Sequence, residues 1–102
     1  MPQANERILL VGGGAQAQGV ADALLLLAEN GRRVSVVGFV DDNPALWDTE
    51  WIGLPVLGPI AAVDQIPHDT LFIGIGNNRT NKRLYEAFAA RGAVFATVRH
   101  PS

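Results

Sequence analysis

The residues whose types and spacing suggest chemistry begin at Gly12-Gly13-Gly14, which follow the apolar run Ile8-Leu9-Leu10-Val11 and lead straight into an amphipathic stretch. A buried strand, a tight glycine turn and a helix N-terminus aimed at that turn together suit a phosphate group. The first N–H groups of a helix have no intrahelical partner and carry partial positive charge. Gly12-x-Gly14-x-x-Ala17 fits the dinucleotide-binding fingerprint in its variant with alanine third. In that pattern Gly12 permits the turn, Gly14 lets a pyrophosphate approach the backbone, and small Ala17 lets the helix pack close to the sheet. Asp41 ends the next apolar run, near the spacing of ~20 residues at which an acidic side chain meets ribose hydroxyls. The competing explanation is that the glycines only turn the chain and Asp41 caps a loop.

A second cluster, Gly74-Ile75-Gly76-Asn77-Asn78, ends another apolar run. It is expected to set bare backbone and two amides opposite the first loop, as a wall for a nucleoside or sugar. Asn78 also suits a helix N-cap. Gln16 and Gln18, in the first helical turn, reach toward a phosphate or sugar but carry no acid–base chemistry. Trp47 and Trp51 offer ring faces to a base, although packing of their long loop over the core is the preferred reading. His68, between Pro67 and Asp69, is expected to be exposed, and His100 to be structural or solvent-facing. No His pair has metal-ligand spacing and no serine sits in a nucleophile elbow. The chain reads as a binding domain without catalytic groups of its own.

The elements that must position these residues follow from periodicity. Residues 7–11, 33–40 and 70–75 are near-continuous apolar runs, as expected of parallel strands buried on both faces. A helix is predicted over residues 16–29, with Ala17, Val20, Ala21, Leu24, Leu27 and Ala28 toward the sheet and Asn30-Gly31 as its stop. Leu25 and Leu26 lie off that stripe, toward a neighbouring helix or a subunit contact. Residues 44–58 are irregular, with a short edge strand around Pro55 to Leu57, and Pro59 opens a short helix over 60–65. A helix over 80–91 presents Leu84, Ala87 and Phe88 inward, Gly92 stops it, and a last strand spans 94–98. Strands alternating with helices on short connections give an α/β fold, Rossmann-like in three α/β/α layers. A parallel sheet of about five strands in the order 3-2-1-4-5 is expected, with a ligand beyond the strand carboxyl ends at the switch point.

Bulk properties narrow the classes. The 102 residues suffice for one domain, 48% are apolar and 18% charged, and the net charge is −2. The basic residues are scattered, which argues against a nucleic-acid face. With no cysteine there is no disulfide frame, thiolate nucleophile or Cys-type zinc site, in keeping with a reducing cytoplasm. Residues 1–6 are polar and the next apolar run is too short for a signal peptide. Asp22 and Glu29 interrupt the most apolar helix, so no membrane span is expected.

Taken together, residues 8–24, Val37-Gly38-Phe39-Val40-Asp41-Asp42-Asn43-Pro44, Gly53-Leu54-Pro55-Val56-Leu57-Gly58, Ile73-Gly74-Ile75-Gly76-Asn77-Asn78 and Thr97-Val98-Arg99-His100-Pro101-Ser102 resemble the opening domain of the NeuD/PglD-like sugar acetyltransferases. The likeness runs over nearly the whole chain in order and spacing. It implies a small Rossmann-like nucleotide-sugar-binding domain over residues 1–102. In the family a left-handed β-helix of hexapeptide repeats follows, trimerises, binds acetyl-CoA and supplies the catalytic histidine. The family acetylates amino or hydroxyl groups of sugars for bacterial surface glycans or sialic acids. The resemblance implies that Gly12, Gly13, Gly14, Ala15 and Gln16 hold the pyrophosphate of a UDP-linked sugar. It further implies that Asp41 or Asp42 contacts the nucleoside and that Gly76 and Asn77 lie near the ligand. No cofactor is expected in this domain, and acetyl-CoA only in a full-length enzyme. The family's usual Gly-His pair is Ala15-Gln16 here, and its frequent basic residue is Gln18. The chain ends where the β-helix is expected to start, so it is read as catalytically incomplete alone. An NAD-binding module and an assembly domain that binds nothing are the alternatives.

Overall fold

The computed structural model describes residues 6–12, 14–29, 31, 33–51, 53–75 and 78–96, with residues 15, 16, 27 and 78 described in their backbone only. Strand β1 (Glu6–Val11) leads through the glycine turn into helix α1 (Ala15–Glu29), which returns the chain to β2 (Val34–Val40). A 3-10 turn, Pro44–Leu46, and a two-residue hairpin of β3 (Glu50–Trp51) and β4 (Leu54–Pro55) follow. A second 3-10 segment, Ile60–Gln65, then precedes β5 (Thr70–Ile73) and helix α2 (Asn78–Ala90).

The main sheet has three parallel strands in the order β2-β1-β5. One parallel bridge lies outside it on each side, Phe39 with Val56 and Leu71 with Phe95. The sheet formed by the described residues is therefore narrower than the five strands expected. The predicted edge strand over 55–57 is divided. Leu54–Pro55 pairs antiparallel with Glu50–Trp51, while Val56 bridges to Phe39 of β2 and the Leu57 N–H donates to the Phe39 carbonyl at 2.7 Å. The predicted strand over 94–98 contributes its bridge at Phe95, and its residues 97 and 98 lie outside the described residues.

Apolar layers cover both faces of the sheet, which explains the unbroken apolar runs. Ile8, Leu10 and Phe39 pack with Ala17, Val20, Ala21 and Leu24 of α1. Leu9, Val11, Val40, Leu71 and Ile73 pack with Val63 and with Phe88 of α2. Alternate residues of β1 thus feed opposite layers, as pleating requires. Leu84 is half-buried but Ala87 is exposed, against expectation: on this short helix the stripe that meets the sheet is narrow. Leu26 points to solvent at 53% exposure.

Within β2 the register slips, Ile8 facing Val36 and Leu9 facing Gly38, so Val37 bulges out. The bulge lies where the loop beyond β2 crosses closest. A Cβ on Gly38 would sit 2.6 Å from the carbonyl oxygen of Pro55. At the other end of the sheet, Arg7 and Asp69 tie the starts of β1 and β5 through side-chain hydrogen bonds of 3.2 Å. The Arg7 N–H also donates to Asp69 Oδ2 at 2.8 Å.

Candidate functional site

The site is built where β1 and β2 end. Gly12 takes φ +102°, a conformation that side chains rarely adopt. Its N–H donates to the Val40 carbonyl at 2.7 Å, which locks the turn to the end of β2. The next strand closes in from the other side, the Gly74 N–H donating to the Val11 carbonyl at 2.8 Å. A Cβ on Gly12 would stand 2.9 Å from Ile75 Cγ1 and 3.1 Å from the Gly74 carbonyl oxygen. Gly74 is itself pressed from above, since a Cβ there would meet Ala17 Cβ at 2.8 Å and Ala17 Cα at 2.9 Å. The close helix–sheet packing ascribed to Ala17 is thus a contact between two small residues, Ala17 and Gly74. Gly14 differs from both: its φ, unlike that of Gly12, is outside the left-handed range, and among the described residues an added Cβ would meet nothing within 4 Å.

Asp41 continues β2 by one residue. Its N–H donates to the Gly58 carbonyl at 2.9 Å, away from β1. Its Oδ1 accepts from the Asn43 N–H at 2.8 Å, and its carbonyl accepts from Trp47 Nε1 at 2.7 Å. The carboxylate therefore does close a turn of its own loop, as the competing sequence reading had it. Asp42 is exposed, and its Oδ1 accepts the Ile60 N–H at 2.9 Å. That bond caps the 3-10 segment over 60–65, whose own N-cap, Pro59, has no side-chain cap bond. So Gly12, Gly14 and Asp41 cluster at the carboxyl ends of β1 and β2, while the Asp42 carboxylate is directed at the loop. The backbone of Ala15 and Gln16 opens α1, and Gly13, Gly76 and Asn77 lie outside the described residues.

Other sequence candidates fall elsewhere. His68 is half-buried rather than exposed, because its Nδ1 is bonded to the Ile66 carbonyl at 2.6 Å. His100 is outside the described residues. Among the described residues there is no group of three His, Cys, Asp or Glu fit to hold a metal ion, and no helix is long and apolar enough to cross a membrane.

Sequence reasoning missed Asn81. Its Nδ2 donates to the carbonyls of Ile73 and Ile75, at 3.2 and 3.1 Å, and so pins the first turn of α2 to the exit of β5. The signal was a poor helix former held in a helical first turn for no helical reason. A pocket of about 160 Å³ lies nearby, lined by Phe72, Asn81, Tyr85 and Phe95 among others, and it includes none of the predicted site residues. Tyr85 stacks on Phe95 at 4.3 Å between ring centroids.

The sequence model of the PglD N-terminal domain matches residues 7–88. The chain belongs to the PglD N-terminal domain family. One solved structure similar to this chain is that of a mutant perosamine N-acetyltransferase from Caulobacter crescentus, in complex with CoA and GDP-perosamine. It is 30% identical with a TM-score of 0.69, over 97% of this chain and 45% of that one. The acetyltransferase domain of PglB from Neisseria gonorrhoeae, in complex with acetyl coenzyme A, has the same fold at a TM-score of 0.69. It is 24% identical, over 88% of this chain and 42% of that one. The chain thus spans less than half the length of either neighbour. No curated protein matches it in sequence.

Proposed function

We propose that this PglD N-terminal domain is the nucleotide-sugar-recognition part of a bacterial sugar acetyltransferase. The observation that carries the reading is the Gly12–Gly14 turn. Its described glycines stand at the carboxyl ends of β1 and β2, at the N-terminus of α1 and beside Asp41. In open parallel sheets that is where phosphate-bearing ligands lie. The GDP-perosamine bound by the Caulobacter neighbour supports the ligand class. In this reading the backbone of Gly12, Gly13, Gly14, Ala15 and Gln16 receives the pyrophosphate, Asp41 the ribose hydroxyls, and the Gly76-Asn77 turn flanks the sugar. Asp42 acts mainly by shaping the loop. The pyrophosphate of a UDP- or GDP-linked amino sugar is then held by N–H groups rather than by a cation.

The reaction would be attack of a sugar amine or hydroxyl on the thioester carbonyl of acetyl-CoA, forming the acetylated sugar as the C–S bond breaks and CoA leaves as its thiol. The proton would pass to a base outside these residues, on a trimeric β-helix domain of the kind the family carries. Cytoplasmic glycan-precursor synthesis is the matching setting. Calorimetry on the purified chain with UDP-N-acetylglucosamine, GDP-mannose, CMP-sialic acid and NAD tests the reading. Binding of a UDP- or GDP-sugar in preference to NAD is the expected result. Binding of NAD alone would overturn it in favour of a dinucleotide module, and silence toward all four would favour an assembly role.

A further inference from the structure

We infer that Trp47 is the stacking platform for the base of the bound nucleotide, an inference that rests on the ligand class proposed above. Neighbouring residues of a strand direct their backbone polar groups to opposite sides, and the end of β2 uses this alternation. Val40 faces β1, its carbonyl taking the Gly12 N–H. Asp41 faces away, and its carbonyl takes the Trp47 indole N–H at 2.7 Å. The glycine turn, Asp41 and the Trp47 indole therefore follow one another outward across the strand ends. A nucleoside diphosphate has the same order of parts: pyrophosphate, ribose, base. If the pyrophosphate sits on the turn and the ribose at Asp41, the base arrives one sugar ring further out, beside Trp47.

The indole is held and yet open. Asn43 caps the Pro44–Leu46 turn through its side-chain oxygen to the Ala45 N–H, and the Trp47 N–H closes that turn on the Pro44 carbonyl. Asp41 Oδ1 in turn holds the Asn43 N–H, so the carboxylate and the indole belong to one hydrogen-bonded loop. Leu46, next door, packs against the apolar cluster under α1, whereas Trp47 joins neither cluster and keeps 36% exposure. The loop-over-core packing expected of it from sequence is done by Leu46. A tryptophan with its one donor satisfied and its ring outside the core is preorganised for stacking, at little entropic cost on binding. Stacking of this kind tolerates any base and is worth a roughly 5- to 100-fold change in affinity on removal.

The chain has two tryptophans, which makes the test direct. In Trp51→Phe all indole fluorescence comes from Trp47, and titration with UDP or GDP should quench it. Trp47→Leu should bind the nucleotide roughly 5- to 100-fold more weakly by calorimetry while inorganic pyrophosphate binds as before. Trp47→Phe should keep most of the nucleotide affinity, because it keeps an aromatic face and loses only the N–H. An unchanged nucleotide affinity in Trp47→Leu overturns the inference and leaves the proposed function standing. The same holds if Trp47→Phe falls as far as Trp47→Leu, since the bond to Asp41 would then be what matters. If the wild-type chain shows no calorimetric nucleotide binding, the proposed function fails and the inference falls with it.

Discussion

Replacing Gly74 by alanine should destabilise the domain more than a methyl group added at either of the other described glycines with relaxed backbone, Gly14 and Gly19. The new Cβ would lie 2.8 Å from Ala17 Cβ, 2.9 Å from Ala17 Cα and 3.2 Å from Ala17 N. Two of these three atoms are helix backbone, which has no rotamer with which to escape. Restoring ordinary van der Waals distance means lifting the first turn of α1 off the sheet, or bending the exit of β5, by a good fraction of an ångström. Overpacking of this sort costs about 1–3 kcal/mol. A domain of this size has about 5–15 kcal/mol in all. At about 4–8 °C per kcal/mol, a cost near the middle of that range lowers Tm by about 8–16 °C. Urea unfolding followed by circular dichroism gives the same quantity as a shift in midpoint at unchanged slope. Ala17→Gly in the Gly74→Ala background should recover part of the loss. It removes the clash between the two methyl groups, leaves the new methyl pressed on the helix backbone, and costs about 1 kcal/mol in helix propensity. A Gly74→Ala variant melting within about 2 °C of wild type would refute the close packing of α1 on β5 (the 4–8 °C scale leaves no room for a hidden kcal/mol).

Gly14→Ala is the matched contrast. The added Cβ has no neighbour within 4 Å among the described residues and the backbone is not left-handed, so stability should stay within about 0.5 kcal/mol. A UDP- or GDP-sugar should nevertheless bind at least about tenfold more weakly in calorimetry, because the methyl group stands between pyrophosphate and backbone. Asp41→Ala should weaken a nucleotide by about 1–3 kcal/mol through lost hydrogen bonds, and unchanged affinity in calorimetry would remove Asp41 from the site. Asn81→Ala strips two carbonyls of their donor and should cost about 1–2 kcal/mol in urea unfolding, net of a small gain in helix propensity. The Asp69 carboxyl is held below the usual aspartate range, first by the side-chain hydrogen bond from Arg7 and then by that residue's N–H. A depressed folded value means that the contribution is complete above the unfolded pKa of about 3.9 and is lost as pH falls through the lower folded value. The difference in urea midpoint between wild type and Asp69→Asn should therefore be constant from neutral pH to about pH 5 and shrink below pH 4. Both side chains are exposed, so the difference itself is small.

The central architecture was legible because burial on both faces leaves a coarse mark. Ile8 to Val11 and Leu71 to Ile73 are apolar without alternation, and each contributes to both layers. The α1 stripe was legible for the same reason, Ala17, Val20, Ala21 and Leu24 all being buried. What escaped was decided by single contacts rather than by periodicity. The bulge at Val37 lies beside Gly38, where the Pro55 carbonyl of β4 crosses close, and nothing in a run of β-branched residues announces that crossing. The β3–β4 hairpin is two residues long on each side, too short to show an alternation. Ala87 was assigned inward on helical spacing, but only the part of α2 that reaches the sheet is covered, and among its described residues Phe88 alone is fully buried.

At the site the difficulty is of another kind, since a glycine in a sequence does not say what occupies the place of its missing side chain. In sequence, Gly12, Gly14 and Gly74 all read as glycines ending strands beside a ligand. The structure separates them by what an added Cβ would meet. At Gly74 the space is taken by Ala17, and at Gly12 both the space and the backbone angle are demanded by the fold. Of these three, only Gly14 has space that the described protein does not use. The carboxylates sort in the same way: Asp42 caps Ile60, and Asp41 closes its own turn with one oxygen. Fold and ligand thus compete for the same few polar and small residues, and selection for folding alone would retain Gly12, Gly74 and Asp42. Gly14 is the position that folding does not explain, while Trp47 serves the loop through its indole N–H and leaves its ring half open on the far side of Asp41. A ligand spanning pyrophosphate to base would use the space at Gly14 and the ring of Trp47 in one binding event, and Gly14→Ala should change affinity at constant Tm because the fold makes no use of that space.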